Sequence, residues 1–224
     1  MKIRAASDQS VLVYLGDTIG LESHQRVVRL LRQLQRQRLE WVRNLQPAYC
    51  SLLVTFDTCA VDHGLVEAAL REFEDKAEAA PAAESRVVEI PVCYGGELGP
   101  DLLDVAAACG MKPHRVVELH SAETYHAYFV GFAPGFAYLG DVPEQIATRR
   151  LAMPRPRVPA GSLGIAGRQT GVYPFATPGG WRILGRTPLA MFKADREPMA
   201  LIAVGDQVKF KPITQDQFLK MEQA

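Results

Sequence analysis

The chain has 224 residues, 48% of them hydrophobic and 22% charged, a balance that supports a buried core and excludes an intrinsically disordered chain. Its 25 Lys and Arg offset 25 Asp and Glu, so net charge supplies no pull toward nucleic acid or an anionic membrane. This length suits one large domain or two small ones.

Residues 1–10 are mixed polar and show neither the apolar stretch nor the cleavage site of a signal peptide. The uncharged run at 124–140 is interrupted by Gly131, Pro134 and Gly135, which makes it a poor membrane span. Cys50, Cys59, Cys93 and Cys109 form no C-x-x-C pair and meet no His pair of zinc spacing. The expectation is a cytoplasmic protein with reduced thiols and no bound metal of its own.

Residues 11–15 alternate in a short apolar, β-branched run and predict a strand. Residues 21–38 place Val27, Leu30, Leu31 and Leu34 on one helical stripe, with Arg26, Arg29, Arg32 and Arg36 largely off it. Those arginines read as a solvated face rather than a phosphate site. Residues 41–45 and 51–56 predict strands joined across a turn at Pro47 and Ala48, and Asp62 or His63 opens a second helix through Leu65, Ala69, Leu70 and Phe73. With residues 87–92 as a closing strand, this order fits a small ferredoxin-like unit. The Ala- and Glu-rich stretch 77–85, broken by Pro81, predicts a linker. It divides the chain into a small α+β N-terminal domain at 1–82 and a second domain at 83–224.

Composition changes in the second part. Ten of the 18 Gly lie between Gly131 and Gly185, and seven of the 15 Pro between Pro134 and Pro178. Short apolar runs at 116–119, 128–132, 163–165 and 201–204 between such breakers predict the strands of a β-barrel or sandwich. One helix precedes them, from Pro100 to a stop at Gly110.

The segment 158–181 has Arg168 as its only charge and carries hydroxyl or amide groups at Ser162, Gln169, Thr170, Tyr173 and Thr177. Its glycines, Gly179 among them, permit close approach of a ligand to backbone N–H groups or, equally, a tight barrel corner. Neither reading excludes the other at this point. Nucleotide signatures fail. Gly161, Gly164 and Gly167 lack the G-x-G-x-x-G spacing, and 180–187 imitates a P-loop with Arg186 in place of Lys and Pro188 where a helix would begin. Ser162 is not in a nucleophile elbow. Pro154 and Pro156 stiffen the backbone around Arg155 and Arg157, and a guanidinium so placed suits carboxylate or phosphate. Arg149 and Arg150 read as surface residues. His120 is a candidate for proton transfer, although a lone His is more often structural. The run 131–140 interleaves aromatics with glycines, as a ligand wall or as core strand and turn.

Residues 90–100 (IPVCYGGELGP), 131–139 (GFAPGFAYL) and 158–181, with 185–188 (GRTP) and 203–210 (AVGDQVKF) behind them, together resemble the KipI/allophanate-hydrolase-subunit-1 family. The resemblance is strong over 86–212, while 1–84 matches mainly in layout. It implies a cyclophilin-like β-barrel behind the ferredoxin-like unit. Stand-alone bacterial members are similar to the B subunit of 5-oxoprolinase, which joins the C and A subunits of that enzyme to open 5-oxoproline to glutamate at the expense of ATP. The resemblance thus implies ATP and Mg²⁺ as cofactors, at a site shared with the C subunit, and inactivity of this chain by itself. Within that reading Arg157 and His120 are the expected catalytic residues. Ser162, Gln169, Thr170, Tyr173, Thr177 and Gly179 are the expected substrate-binding residues. The family also holds an inhibitor of a histidine kinase and a domain of urea amidolyase. The latter works with biotin, and this chain has no Met-Lys-Met biotin site. A prolyl isomerase is suggested by the barrel alone.

Overall fold

The computed structural model describes residues 1–79 and 85–223. Their Cα positions divide into two units, Met1–Glu84 and Ser85–Ala224. The expected domain boundary between 82 and 83 lies outside the described residues.

The first unit runs β1 (Lys2–Ser7), β2 (Ser10–Tyr14), α1 (Leu21–Gln37), β3 (Val42–Pro47), β4 (Ser51–Phe56) and α2 (His63–Ala79). The strands form one antiparallel sheet in the order β1-β2-β4-β3. Strand period 2 turns Leu52, Val54 and Phe56 of β4 to one face, where they are buried with Val11 and Val13 of β2. Val27, Leu30, Leu31 and Leu34 are buried on the stripe that their helical spacing predicts. Arg26 is not purely solvated: its guanidinium donates 2.7 Å to the Leu15 carbonyl and pairs with Glu74 of α2. The closing strand expected at 87–92 is absent from this sheet. The exposed edge strand Lys2–Ser7 supplies the fourth position instead. The helix α2 extends through Ala79, so the start of the expected linker is helical, in keeping with the high helix propensity of Ala and Glu.

The second unit contains β5 (Val87–Tyr94), α3 (Leu102–Ala108), α4 (Pro113–Ala122), β6 (Thr124–Val130), β7 (Ala137–Gly140), β8 (Arg155–Val158), β9 (Ser162–Ala166), β10 (Gln169–Val172), β11 (Thr177–Gly179), β12 (Arg182–Arg186), β13 (Gln207–Pro212) and α5 (Gln215–Glu222). Seven strands close a barrel in the order β10-β7-β6-β13-β5-β12-β9. Closure leaves no free sheet edge. The neighbours β5 and β13 are parallel, with Ile90 opposite Phe210, and both side chains enter the barrel core beside Tyr125, Leu139, Leu163 and Ile165. The strands β8 and β11 form a separate two-stranded ribbon.

Two expectations fail here for identifiable reasons. Residues 116–119 lie in α4, not in a strand. Pro113 stands in its first turn, and Val116 and His120, four apart, form its buried face. Residues 201–204 form a loop, in which the Leu201 N–H donates to the Met191 carbonyl and the Asp206 carboxylate accepts from the Ala203 N–H.

Candidate functional site

The strand β9 is buried along its whole length because both its faces are covered. Leu163 and Ile165 belong to the barrel core, and Ala166 to a second cluster built from Phe136, Val158, Tyr173, Trp181 and Ile183. At the centre of that cluster Phe136 meets four rings edge to face: Phe132 at 5.4 Å, Tyr138 at 4.9 Å, Tyr173 at 5.4 Å and Trp181 at 5.4 Å. Each such contact contributes about 0.5–1.5 kcal/mol beyond the area it buries.

The glycines of 158–181 make room for these rings. A Cβ on Gly171 would stand 2.7 Å from the Ala137 carbonyl oxygen and 3.2 Å from the Phe136 ring. A Cβ on Gly179 would overlap the Tyr173 hydroxyl and stand 2.9 Å from its ring carbons. The two glycine readings therefore resolve mainly toward packing, and the packing itself leaves a recess.

That recess has a volume of about 100 Å³. Its walls are Phe136, Tyr138, Tyr173 and Trp181, its rim Gly179 and Gly180, and its exposed flank Phe132 and Arg150. Phe136, Tyr173 and Trp181 are buried, while Phe132 is 61% exposed. Phe132 is held at φ +69°, a left-handed conformation that a bulky side chain rarely adopts and that recurs at ligand sites. The Arg150 guanidinium carbon lies 5.9 Å from the Trp181 ring centroid, within cation–π range. Burial pushes the Tyr173 hydroxyl pKa up, against the Trp181 main-chain hydrogen bond and the positive charges of Arg150 and Arg155. The hydroxyl is consequently a neutral donor near pH 7.

Of the residues expected from the sequence, Tyr173 and Gly179 reach this recess. Thr177, on β11 opposite Val158, has a buried hydroxyl oxygen without a hydrogen-bond partner among the described residues. Gln169 stands on β10 opposite Ala166. Ser162 is 2% exposed in the barrel wall, its carbonyl accepting the Tyr173 N–H at 2.9 Å. Arg157 is exposed on β8, whereas its neighbour Arg155 makes the two-pronged contact. Arg155 Nη1 and Nη2 donate 2.9 Å and 2.6 Å to the two Asp101 carboxylate oxygens, and one of these also accepts the Ile183 N–H at 2.6 Å. The stiffened arginine thus holds a carboxylate of its own chain.

His120 does not line the recess. It is fully buried, and burial holds its pKa down to about 3, so the ring is neutral. The Thr170 hydroxyl donates to the Gly164 carbonyl at 3.0 Å, so it accepts from His120 Nε2–H at 3.0 Å. His120 Nδ1 then accepts from the Tyr94 hydroxyl at 3.0 Å. Both ring nitrogens and the Thr170 hydroxyl are thereby satisfied inside the core. His120 and Thr170 thus belong to a buried hydrogen-bond chain of the barrel and do not line the recess.

The P-loop imitation at 180–187 includes strand β12, whose Gly185 packs against the Cys93 carbonyl, so no phosphate-binding turn exists there. A larger cleft of about 440 Å³ lies between the turn Tyr94–Gly96, Arg186 and α5. Its volume suits a nucleotide. Its charged groups do not, because Glu97 and Glu222 flank a single Arg186, which already donates 2.8 Å to the Ala160 carbonyl. The residues lining this cleft do not fit ATP. Among the described residues no group of three or more His, Cys, Asp or Glu is placed to hold a metal ion, and no helix is long and apolar enough to cross a membrane.

The family model described as carboxyltransferase domain, subdomain C and D, matches residues 1–202. The chain belongs to this family. Within it, the chain is 40% identical to the 5-oxoprolinase B subunit of Bacillus subtilis, over 97% of this chain and 95% of that protein. It is 44% identical to the 5-oxoprolinase B subunit of Escherichia coli O157:H7, over 92% and 93% of the two chains. Among solved structures, that of TTHA0988 is similar with a TM-score of 0.82 at 34% identity, covering 92% of this chain and 40% of that one. The conserved uncharacterized protein PH0987 from Pyrococcus horikoshii matches at 43% identity and a TM-score of 0.58, over 97% and 100% of the two chains. The K. lactis urea amidolyase shares the fold, with a TM-score of 0.72 at 18% identity over 97% of this chain and 15% of that one. The chain therefore spans less than half of TTHA0988 and a small part of the amidolyase.

Proposed function

We propose that this carboxyltransferase-family chain acts as the B subunit of an ATP-dependent 5-oxoprolinase in the cytoplasm, opening 5-oxoproline to L-glutamate together with the A and C subunits. The observation that carries this reading is the identity to proteins named as the 5-oxoprolinase B subunit, at 40% and 44% along nearly the whole of both chains. The name of those relatives implies further subunits beside them. Longer relatives such as TTHA0988, in which the similar segment is 40% of the chain, support a unit that works beside further domains. On this reading the barrel is cyclophilin-like, and the four-stranded unit is a ferredoxin-like variant whose edge strand comes from the N-terminal hairpin.

ATP with its Mg²⁺ is assigned to a site shared with the C subunit, because the lone Arg186 between two glutamates in the 440 Å³ cleft would not by itself hold a polyphosphate. What this chain supplies is a small recess with aromatic walls, a neutral hydroxyl and a guanidinium. No observation favours the kinase-inhibitor reading.

The test is reconstitution. The purified chain and the A and C subunits are mixed with ATP, Mg²⁺ and 5-oxoproline, and glutamate release is followed. Release that requires all three proteins is the expected result, with none from this chain alone. Equal release without this chain, or none from the complete set, overturns the proposal.

A further inference from the structure

We infer that the aromatic recess seats the ring of the lactam substrate and that Arg150, not Arg157, takes its carboxylate, an assignment that rests on the 5-oxoprolinase reading.

Size makes the first selection. The recess of about 100 Å³ is well below the roughly 300 Å³ at which pockets for drug-sized ligands begin. It admits one small ring and excludes a nucleotide or a peptide segment. Wall chemistry makes the second. The aromatic side chains of Phe136, Tyr138 and Trp181 line the recess and suit the methylene edge of a small saturated ring, which loses nothing by leaving water. The Tyr173 hydroxyl, packed over Gly179, is the neutral donor for a ring carbonyl. An amide carbonyl can accept the hydroxyl proton, and a hydrocarbon ring cannot.

Charge makes the third. Arginines of the barrel unit that pair with carboxylates include Arg86, Arg115 and Arg168 and three nearer the recess. Arg155 holds Asp101, Arg182 faces Asp104 at 3.8 Å, and Arg186 faces Glu222 at 3.9 Å. Arg150 has no carboxylate partner among the described residues and rests on the face of Trp181. A guanidinium over an indole at this distance leaves its N–H donors available to a carboxylate, which it can take in two-pronged fashion. A ligand with its ring against Phe136 and its carboxylate toward Arg150 would bring its carbonyl within the recess, beside Tyr173.

The experiment uses the reconstituted complex with 5-oxoproline as the varied substrate. Arg150 is exposed, so Arg150→Ala leaves the fold intact. The expected result is a KM at least tenfold higher with kcat changed less than threefold, since the contact with the remote carboxylate is made equally in ground and transition states. Tyr173→Phe removes one oxygen and keeps the ring packing, and its expected result is a tenfold lower kcat/KM. Assembly of each variant is verified by size exclusion. An unchanged KM in Arg150→Ala overturns the carboxylate assignment, and an unchanged kcat/KM in Tyr173→Phe overturns the seating of the carbonyl. Both can occur while wild-type turnover stands, which leaves the function proposal intact. Absence of wild-type turnover overturns the function proposal and this ligand with it.

Discussion

The Asp101 carboxylate joins parts of the barrel unit that are distant in sequence, and its removal gives a calculable loss. The side chain is 4% exposed and accepts three hydrogen bonds, two from Arg155 and one from the Ile183 N–H. Asp101→Ala leaves that N–H buried and unpaired, at about 1–3 kcal/mol. It also leaves the Arg155 guanidinium without a counter-charge. Removing one member of a buried pair costs about 3–5 kcal/mol in all. Arg155 is 30% exposed and regains some water, which points to the lower end, about 3 kcal/mol. For a chain of this size that corresponds to a fall in Tm of roughly 6–12 °C. Asp101→Asn keeps an acceptor for Ile183 and loses the charge, so about half the loss is expected. A double-mutant cycle with Arg155→Ala should give a coupling of about 2 kcal/mol. The assay is urea denaturation followed by tryptophan fluorescence in a Trp41→Phe background, so that Trp181 reports the barrel. A loss under about 1 kcal/mol for Asp101→Ala, or strict additivity in the cycle, would refute the reasoning.

Three further outcomes follow from the same geometry. Burial lowers the His120 pKa from 6.5 to about 3, so the unfolded chain takes up the proton first; the stability due to the neutral ring is complete above pH 6.5 and is lost toward pH 3, by about 1.4 kcal/mol per pH unit. Denaturation from pH 4 to 8 should show that slope reduced in His120→Gln, and parallel profiles would count against it. Gly179→Ala drives a Cβ into the Tyr173 hydroxyl and should destabilise by about 1–3 kcal/mol; adding Tyr173→Phe should recover part of the lost Tm, and no recovery would exclude that clash as the cause. Gly99→Ala places a Cβ on the Leu184 carbonyl oxygen, a backbone atom that cannot rotate away, so a loss above about 3 kcal/mol is expected, read as soluble yield and melting by circular dichroism.

How far the fold could be read from sequence depended on whether a segment's pattern is local. The residues SLLVTF of β4 alternate cleanly, and the stripe of α1 repeats at helical spacing, so both elements were legible. The strand Lys2–Ser7 buries almost nothing on the sheet edge and so carries no period to detect. Residues 87–92 announce a buried strand, yet Val88, Ile90 and Val92 would satisfy either sheet. The partner, Gln207–Pro212, lies more than a hundred residues away, and no local signal names it. The run at 116–119 is too short for period alone to separate helix from strand. Pro113 ahead of it was the deciding cue.

The site was legible in pieces whose meaning depends on each other. The prolines around Arg155 and Arg157 could not tell which guanidinium is held, because Asp101, which pairs with Arg155, stands 54 residues earlier. Arg150 carries no sequence mark at all, because what distinguishes it is the ring of Trp181 beneath it. The glycine-rich 158–181 and the aromatic-rich 131–140 each admitted a packing and a ligand reading when taken singly. In the folded barrel they are complementary: Gly171 stands where the Phe136 ring needs space, and Gly179 where the Tyr173 hydroxyl does. A glycine that faces a ring gives up its own side chain so that the ring can tilt, and rings tilted edge to face around Phe136 cannot close on one another completely. The glycine-rich and aromatic-rich segments are therefore two halves of one packing arrangement. The recess lies among these rings, and a Cβ at Gly179, on its rim, would press on the Tyr173 ring that forms its wall.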